Sequence, residues 1–403
     1  MPSYSETVEW LFKQFPSYQK VGAIAYKPNL DNITILLHHL GNPEEKLQFI
    51  HLAGTNGKGS TSHLLASIFQ KHGFKTGLFT SPHLLDFRER IKVNGKEIDE
   101  KDVIDFVAKI KTLPIDFSPS FFEISFAMAL FHFYTSKCTI CVIETGLGGR
   151  LDSTNIITPL LSIITNIGLD HQQFLGDTRE KIAGEKAGII KQSTPVLVGQ
   201  KDSETSSVFI DKANEMESKL HWVDFSLQFP TDLMGRYQQK NVSTAYCAAK
   251  ILKPILNLKE ELILKGLKQV QQNNPIRGRM EVISNAPLTI IDAAHNEEGI
   301  TELMKSIEEL NFNQLHLIYG ASSDKNIADI VNHFPKNAIL YFSTFKNERS
   351  AEIDFVKENT QKLTQNKQYF TSSSDAYEIA KSKAKSDDLI LIFGSFFLIE
   401  EFL

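Results

Sequence analysis

The run Gly54-Thr55-Asn56-Gly57-Lys58-Gly59-Ser60 constrains the fold more than any other stretch of this chain. An apolar segment, Phe49-Ile50-His51-Leu52-Ala53, leads into it, and a helical pattern from Thr61 to His72 follows. Strand, glycine-rich turn and helix, in that order, build a cradle for phosphate groups. Glycines let backbone N–H groups approach the oxygens, the helix N-terminus adds partial positive charge, and Lys58 adds a full one. Gly54 to Ser60 are therefore the expected nucleotide contacts. The spacing departs from the common phosphate loop, because only Thr55 and Asn56 separate the first glycine from Gly57-Lys58, and Gly59 intervenes before Ser60. The competing explanation is a tight strand-to-helix turn that holds no ligand.

Beyond the loop, the pattern alternates strand and helix. Apolar runs recur at Lys75–Thr80, Thr139–Glu144, Leu160–Asn166 and Pro195–Gly199, with helical patterns at Ser120–Tyr134 and Asp177–Lys191 between them. Uniformly apolar strands separated by helices predict a parallel sheet covered on both faces. Before the loop, helices are expected from Thr7 and from Asp31 to Leu40, with Gly41 as a stop. Gly235–Leu252 reads as another helix. A polar, turn-forming seam at Asn273–Gly278 divides residues 1–278 from a smaller domain, 279–403. There a second alternation predicts strands at Leu288–Asp292, Leu315–Gly320, Ala338–Thr344, Gln368–Thr371 and Leu389–Phe393. No G-x-G-x-x-G fingerprint occurs in it, so a dinucleotide cofactor is not indicated.

Ligands of open parallel sheets sit at the carboxyl ends of the strands. Those ends read, in order, as the glycine loop, Thr80-Ser81-Pro82-His83, Glu144 through Arg150, and Gly168-Leu169-Asp170-His171. Magnesium takes oxygen ligands and nucleotide phosphates. Ser81 and Glu144 fit one ion, and His171, an unusual magnesium ligand, fits a second ion sharing Glu144. Lys186 lies on the helix after Asp170-His171. An unmodified ammonium there would repel a metal, whereas carbamylation by CO₂ would make it a carboxylate-like ligand; a lysine bound to phosphate or carboxylate is the equal alternative. In the smaller domain, Asp292-Ala293-Ala294-His295-Asn296 and Phe393-Gly394-Ser395 place polar groups at two further strand ends. Both groups are expected to face the nucleotide across a cleft.

Composition excludes several other classes. The chain has 403 residues, 42% hydrophobic and 23% charged, with net charge -5, so nothing points to a nucleic-acid binder. Cys138 and Cys141 have redox or zinc spacing, but they straddle an apolar strand and no second pair completes a zinc site, so buried reduced thiols are expected. No apolar stretch reaches membrane-spanning length, and the N-terminus lacks a signal pattern. A cytoplasmic location follows.

Taken in order, these motifs resemble the Mur ligase superfamily, specifically folylpolyglutamate synthases and dihydrofolate synthases. The resemblance runs from about Tyr18 to the C-terminus. It rests on His51 through Ser60, Thr80 through Leu84, Arg88-Glu89-Arg90-Ile91, Glu144 through Asn155, Gly168 through His171, Glu185 through Lys191, and Asp292 through Asn296. It implies an α/β chain: a P-loop, Mur-ligase-type central domain with a mostly parallel sheet, and a smaller Rossmann-like C-terminal domain. It further implies ATP with two Mg²⁺ ions at Ser81, Glu144, His171 and a carbamylated Lys186. ATP contacts would also include Asn241, Arg279 and Asp292. Lys58, Lys186, Asp292, His295 and Ser395 would serve catalysis and glutamate handling. The folate-side pocket would draw on Phe15, Pro16, Ser17, Ser120, Phe122, Arg150 and Asp152. There are departures: Tyr237 stands where the family usually has His, Asn326 where it usually has Asp, and Ala where Gly or Val is more common between Asp292 and His295.

The activity this implies is ATP-dependent amide formation between dihydropteroate or a folate and L-glutamate through an acyl phosphate. The protein is expected to be a monomer, with closure about Asn274–Gly278 excluding water. One rival is a nucleotide-regulated switch, which has no need for the Asp-His-Asn group or Ser395. Another is a cell-wall-precursor ligase, which would need a further N-terminal domain.

Overall fold

The computed structural model describes residues 2–15, 29–114 and 118–403. Contacts divide the chain into two units: one runs to Asp232 and resumes over Gln239–Pro275, and the other holds Leu233–Gln238 and Ile276–Leu403. The single seam at 278 is thus replaced by a double crossing, because a short segment of the first half belongs to the second unit. Met234 and Tyr237 of that segment pack against the second unit's core.

Among the described residues, the first unit contains an eight-stranded sheet. Its strands are β1 Phe49–Ala53, β2 Thr76–Phe79, β3 Ile91–Val93, β4 Lys96–Glu97, β5 Ile140–Glu144, β6 Leu161–Ile164, β7 Val196–Val198 and β8 Leu220–Trp222. They lie in the order β4-β3-β2-β5-β1-β6-β7-β8. All pair in parallel except the β2-β3-β4 edge, which is antiparallel. β1 is buried at every residue and lies between β5 and β6, so the chain that leaves its carboxyl end starts mid-sheet. The antiparallel edge was not expected, although its turn carries a readable signal. Asn94 and Gly95 have φ of 50° and 78°, the left-handed pair of a two-residue hairpin joining Val93 to Lys96.

Some helices around this sheet begin where a short polar side chain, such as Ser3, Ser120 or Thr178, accepts from a first-turn N–H group. Helix α1 (Tyr4–Gln14) opens with a Ser3–Glu6 capping box. It is followed by α2 (Asp31–His39) and α3 (Lys58–Lys71). Then come α4 (Phe121–Thr135), α5 (Arg179–Ala187) and α6 (Gln238–Leu256). Helix α3 is buried from Ser60 to Phe69, as a helix beneath a central strand must be. One core gathers α1, α2 and α4 against β2 and β5, through Leu11, Leu36, Phe79, Phe126 and Ile143. A second packs α5 on β6 and β7 through Ile182, Ile164 and Val196. Cys138 and Cys141 are buried, Cys247 is half-buried, and all three are free thiols. Helix α6 starts at Gln238 rather than Gly235, because Gly235 has φ of 104°.

The second unit carries a six-stranded sheet in the order β13-β12-β11-β14-β10-β9. Its strands are β9 Glu281–Asn285, β10 Leu288–Asp292, β11 Leu315–Tyr319, β12 Ile339–Ser343, β13 Lys367–Phe370 and β14 Leu389–Phe393. β9 is an antiparallel edge strand that the sequence did not suggest; its residues are partly buried or exposed, so it lacks the apolar run that marks the other strands. Helices α7 (Glu297–Ile307), α8 (Ser373–Lys383) and α9 (Phe396–Glu400) complete the part used below. Among the described residues, no helix is long and apolar enough to cross a membrane.

Candidate active site

Two glycines let the chain turn from β1 into α3. Gly54 has φ of +150°, and a Cβ there would stand 1.9 Å from Thr165 Oγ1. Gly57, the residue before α3, has φ of +83°, and a Cβ there would stand 2.3 Å from Asn241 Oδ1. The loop is tied to the chain leaving β6. Thr55 N–H donates to Asn166 O at 3.0 Å and Asn56 N–H to Asn166 Oδ1 at 2.7 Å. The Thr165 hydroxyl donates to Asn56 O at 2.6 Å, and Thr55 Oγ1 exchanges bonds with Gly168. No side chain caps α3, so its first N–H groups present the electropositive helix end at this loop.

Two lysines converge here. Lys58 Nζ donates to the carbonyls of Gly54 at 2.9 Å and Thr55 at 3.3 Å. Lys186, buried on α5, donates to the same Gly54 carbonyl at 3.0 Å. Burial, reinforced by the charge of Lys58, pushes the Lys186 ammonium down to about 7, while Asp170 and Asp152 pull it upward. The loop after β5 seats α5: Arg150 N–H donates to Glu185 O at 2.7 Å, and the Arg150 guanidinium pairs with the Glu185 carboxylate at 2.8 Å. Glu185 is thereby committed to Arg150.

Glu144, buried at the end of β5, accepts from Ser81 N–H at 3.2 Å. Its Oε2 lies 3.6 Å from where a Cβ on Gly59 would be, so Ser81 and Glu144 stand at the first turn of α3. An oxygen-rich pair beside a phosphate cradle suits a hard divalent cation. Arg90 is buried nearby; burial pushes its guanidinium down to about 10, and Glu144 and Glu89 oppose that. Its Nε donates to His83 Nδ1 at 2.7 Å, and its guanidinium lies 5.4 Å from the Phe121 ring. His171 has φ of 52° and its Nε2 is 3.8 Å from Asp170 Oδ2. Among the described residues, no three His, Cys, Asp or Glu side chains form a metal cluster.

Asp152 sits behind this loop, fully buried. Leu147 N–H at 2.8 Å and Thr154 N–H at 3.0 Å donate to it, as does the Thr154 hydroxyl; burial raises its carboxyl and these donors oppose the rise. Thr154 Oγ1 is also 2.8 Å from Nε2 of the buried His51. Ser120 caps α4 in a box with Glu123. Phe122 packs against Gly146 and lies 5.7 Å from the Phe79 ring. Phe15 lies edge-on to Trp10 at 5.6 Å within the first core. Pro16 and Ser17 lie outside the described residues.

In the second unit, the ends of β10 and β14 gather another group. Asp292 is buried and accepts Tyr237 O–H, Met280 N–H and Ala294 N–H, each at 2.8 Å. Burial raises its carboxyl; Arg279 foremost, then these donors, oppose that. The Arg279 guanidinium lies 5.1 Å from the Phe396 ring, and the His295 ring lies 5.8 Å from the same phenyl. His295 Nδ1 is 2.9 Å from Ala293 O. Ser395 is buried and caps α9, accepting from Phe397 N–H at 3.2 Å.

Residues 52–227 match the Mur ligase middle domain, and residues 278–396 match the Mur ligase glutamate ligase domain. The dihydrofolate synthase/folylpolyglutamate synthase of Bacillus subtilis is 32% identical over 410 residues, covering 93% of this chain and 94% of that protein. The chain belongs to this family of Mur ligases. A probable bifunctional folylpolyglutamate synthase/dihydropteroate synthase of Haloferax volcanii is 29% identical over 99% of this chain, which spans only 50% of that protein. Among solved structures, E. coli FolC in complex with DHPP and ADP matches with a TM-score of 0.86 and 26% identity, covering 100% of this chain and 97% of the other. The Yersinia pestis bifunctional folylpolyglutamate synthase/dihydrofolate synthase complexed with AMPPNP and Mn ion matches with the same score, identity and coverage.

Within this Mur ligase frame, the first unit brings Gly54–Ser60, Lys186 and Asn241 to one loop and sets Ser81 and Glu144 at its helix. The second unit brings Asp292, Arg279 and His295 to one strand edge, with Ser395 beside Phe396. Three residues at these sites had no assigned role in the sequence reading. Phe396 carries the Arg279 and His295 contacts but reads as one more apolar helix residue. Arg90 stands within a quoted motif, and its signal was an arginine between two strand-end polar clusters. Tyr237 was noted only as a departure.

Proposed function

We propose that this chain is an ATP-dependent ligase that adds L-glutamate to dihydropteroate, to a folate, or to both, through an acyl phosphate. The observation that carries this reading is the pair of lysines, Lys58 and Lys186, on the Gly54 carbonyl of a loop whose following helix starts against Glu144 at Gly59. Carboxylate oxygen and triphosphate are both anionic, so attack on the γ-phosphorus needs positive charge held in place beforehand. Lys58 and the N-terminus of α3 supply it at the phosphates. The substrate carboxylate oxygen bonds to the γ-phosphorus as the bond to ADP breaks. The amine of glutamate then attacks the acyl carbon, phosphate leaves, and the amine's extra proton is lost. Asp292 or His295 is the proposed acceptor of that proton, Ser395 helps hold the amino acid, and Asn241, Arg279 and Asp292 hold the nucleotide.

Ser81, Glu144 and His171 are the proposed ligands for Mg²⁺, which would supply charge neutralisation at the phosphates. Carbamylation of Lys186 belongs to the same proposal. An amine pushed down to about 7 is substantially neutral at physiological pH and so able to add CO₂ with loss of a proton. The folate-side pocket is assigned to the region of Phe15–Ser17, Ser120, Phe122, Arg150 and Asp152. A cytoplasmic monomer is part of the proposal.

The decisive experiment mixes the protein with ATP, magnesium, dihydropteroate or tetrahydrofolate, and glutamate. Phosphate release dependent on both acceptor and amino acid is expected. ATP turnover indifferent to both would favour a nucleotide-regulated switch instead.

A further inference from the structure

Tyr237 is a partly buried ionisable group in the second unit that the mechanism above leaves unused. Burial pushes its phenol well above the usual range, so at neutral pH it is a fixed O–H donor. Its partner is Asp292 Oδ2 at 2.8 Å. The same oxygen also accepts Met280 N–H, and Oδ1 accepts Ala294 N–H. A carboxylate offers about four acceptor directions, two on each oxygen. Oδ2 is therefore filled, and the open direction lies on Oδ1.

The backbone is shaped around this contact. Gly235 has φ of +104°, and a Cβ there would stand 2.9 Å from Tyr237 Cε1 and 2.6 Å from Met280 Sδ. Glycine at 235 is what lets the phenol ring and Met280 pack together beneath Asp292. This also accounts for the placement of Leu233–Gln238 in the second unit. The Arg236 N–H adds a tie to Ser306 Oγ on α7 at 3.1 Å.

We propose that Tyr237 is a positioning residue for nucleotide use: its hydroxyl fills Asp292 Oδ2, so that Oδ1 alone is left to take a single hydrogen bond from a ligand hydroxyl such as that of the nucleotide sugar. The proposal rests on the assignment of Asp292 to ATP handling. Removing the phenol O–H frees Oδ2, lets the carboxyl group rotate, and withdraws one donor that stabilises its charged form. Arg279 is the charged group that remains beside it.

The test compares Tyr237→Phe, Asp292→Asn and the double variant in the ATP-, acceptor- and glutamate-dependent assay, with melting curves for each. Tyr237→Phe is expected to raise the KM for ATP about tenfold, the scale of one charge-assisted hydrogen bond, with a smaller change in kcat and in the KM for glutamate. The acid limb of its pH profile should move to higher pH, because a carboxyl stripped of a donor to its charged form holds its proton longer. The double variant should be no worse than Asp292→Asn alone. Tyr237→His, which keeps a ring N–H, should recover part of the ATP affinity. An unchanged KM for ATP in Tyr237→Phe, alongside an impaired Asp292→Asn, would overturn the positioning role and leave the assignment of Asp292 standing. Full additivity in the double variant would overturn it as well. Wild-type behaviour of Asp292→Asn would instead remove the assignment itself, and this inference with it. If Tyr237→Phe does not fold, 3,5-difluorotyrosine at position 237 replaces it. That ring is close in shape but has an altered O–H donor, so an unmoved KM for ATP would again overturn the proposal.

Discussion

The phosphate loop of the first unit and the strand-end group of the second solve the same problem, holding polar atoms still, by opposite means. In the loop the working atoms are mostly main chain. Gly54 and Gly57 fix the path, and bonds to Asn166 and Gly168 hold it. In the second unit the working atoms are side chains, each oriented by contacts with its neighbours. Asp292 is held by Tyr237, Met280 and Ala294, while Arg279 and His295 lie against Phe396. A main-chain site tolerates almost no change in residue type at its glycines. A side-chain site can be retuned one partner at a time.

The sharpest way to break this comparison is at the lysines. Lys186→Ala is expected to lower turnover by about 1000-fold or more, since it removes the proposed carbamate ligand and the donor that holds the Gly54 carbonyl. Short carboxylates should restore part of the activity, and mass spectrometry of the native protein under CO₂ should find the carbamate. Turnover near wild type would end Lys186's role, and an unmodified lysine under CO₂ would end the carbamate proposal alone. Next comes Gly54→Ala, where a Cβ meets Thr165 Oγ1 at 1.9 Å in a left-handed backbone. A stability loss of about 3 kcal/mol with loss of nucleotide binding is expected in urea unfolding and ATP titration. A stable, ATP-binding Gly54→Ala would show that the loop is not fixed by its glycines.

In the second unit, His295→Ala is expected to cost about 100-fold in kcat while the melting temperature stays close to wild type. Parity in turnover for both His295→Ala and Asp292→Asn would remove proton transfer from this group.

The next effect is on pH dependence. His51 is buried and held down to about 3 by burial and by Lys191, against an ordinary value of 6.5. Between those values the unfolded chain takes up a proton that the folded one refuses. Stability therefore falls as pH drops from about 6.5 toward 3, by at most ~1.4 kcal/mol per pH unit from this group. His51→Gln should flatten that limb in urea titrations; an unchanged slope would count against the buried neutral imidazole. The smallest effect is expected from Arg150→Ala. Its ion pair with Glu185 is partly exposed to solvent, so stability should change by less than about 1 kcal/mol. A larger loss would mean that the pair, rather than the Arg150 N–H bond to Glu185 O, seats α5.

Legibility differed between the two regions for the same reason. Strand, glycines, lysine and helix follow one another in sequence, so the phosphate loop could be read as a unit. So could the strand-end motifs at Glu144 and Asp292, because parallel strands bring their ends to one edge. The antiparallel edges β3-β4 and β9 were missed. The first had an Asn94-Gly95 turn that was available to be read, whereas β9 is too short of buried residues to stand out. The Gly54 carbonyl shared by two lysines could not be read, because Lys186 approaches it from a helix far along the chain.

Local sequence by itself determined which segments are strands and helices at the core and where glycine permits a phosphate to be approached. Those properties depend on side-chain burial patterns and on backbone freedom at single residues. Only the tertiary structure decided that Leu233–Gln238 belongs with the second unit, that Tyr237 rather than solvent fills Asp292 Oδ2, and that Glu185 serves Arg150. The first rests on the packing of Met234 and Tyr237 against the second unit's core, and the other two are choices among polar partners with similar hydrogen-bonding capacity. Proximity in the folded chain, and the cost of leaving a buried group unsatisfied, make that choice.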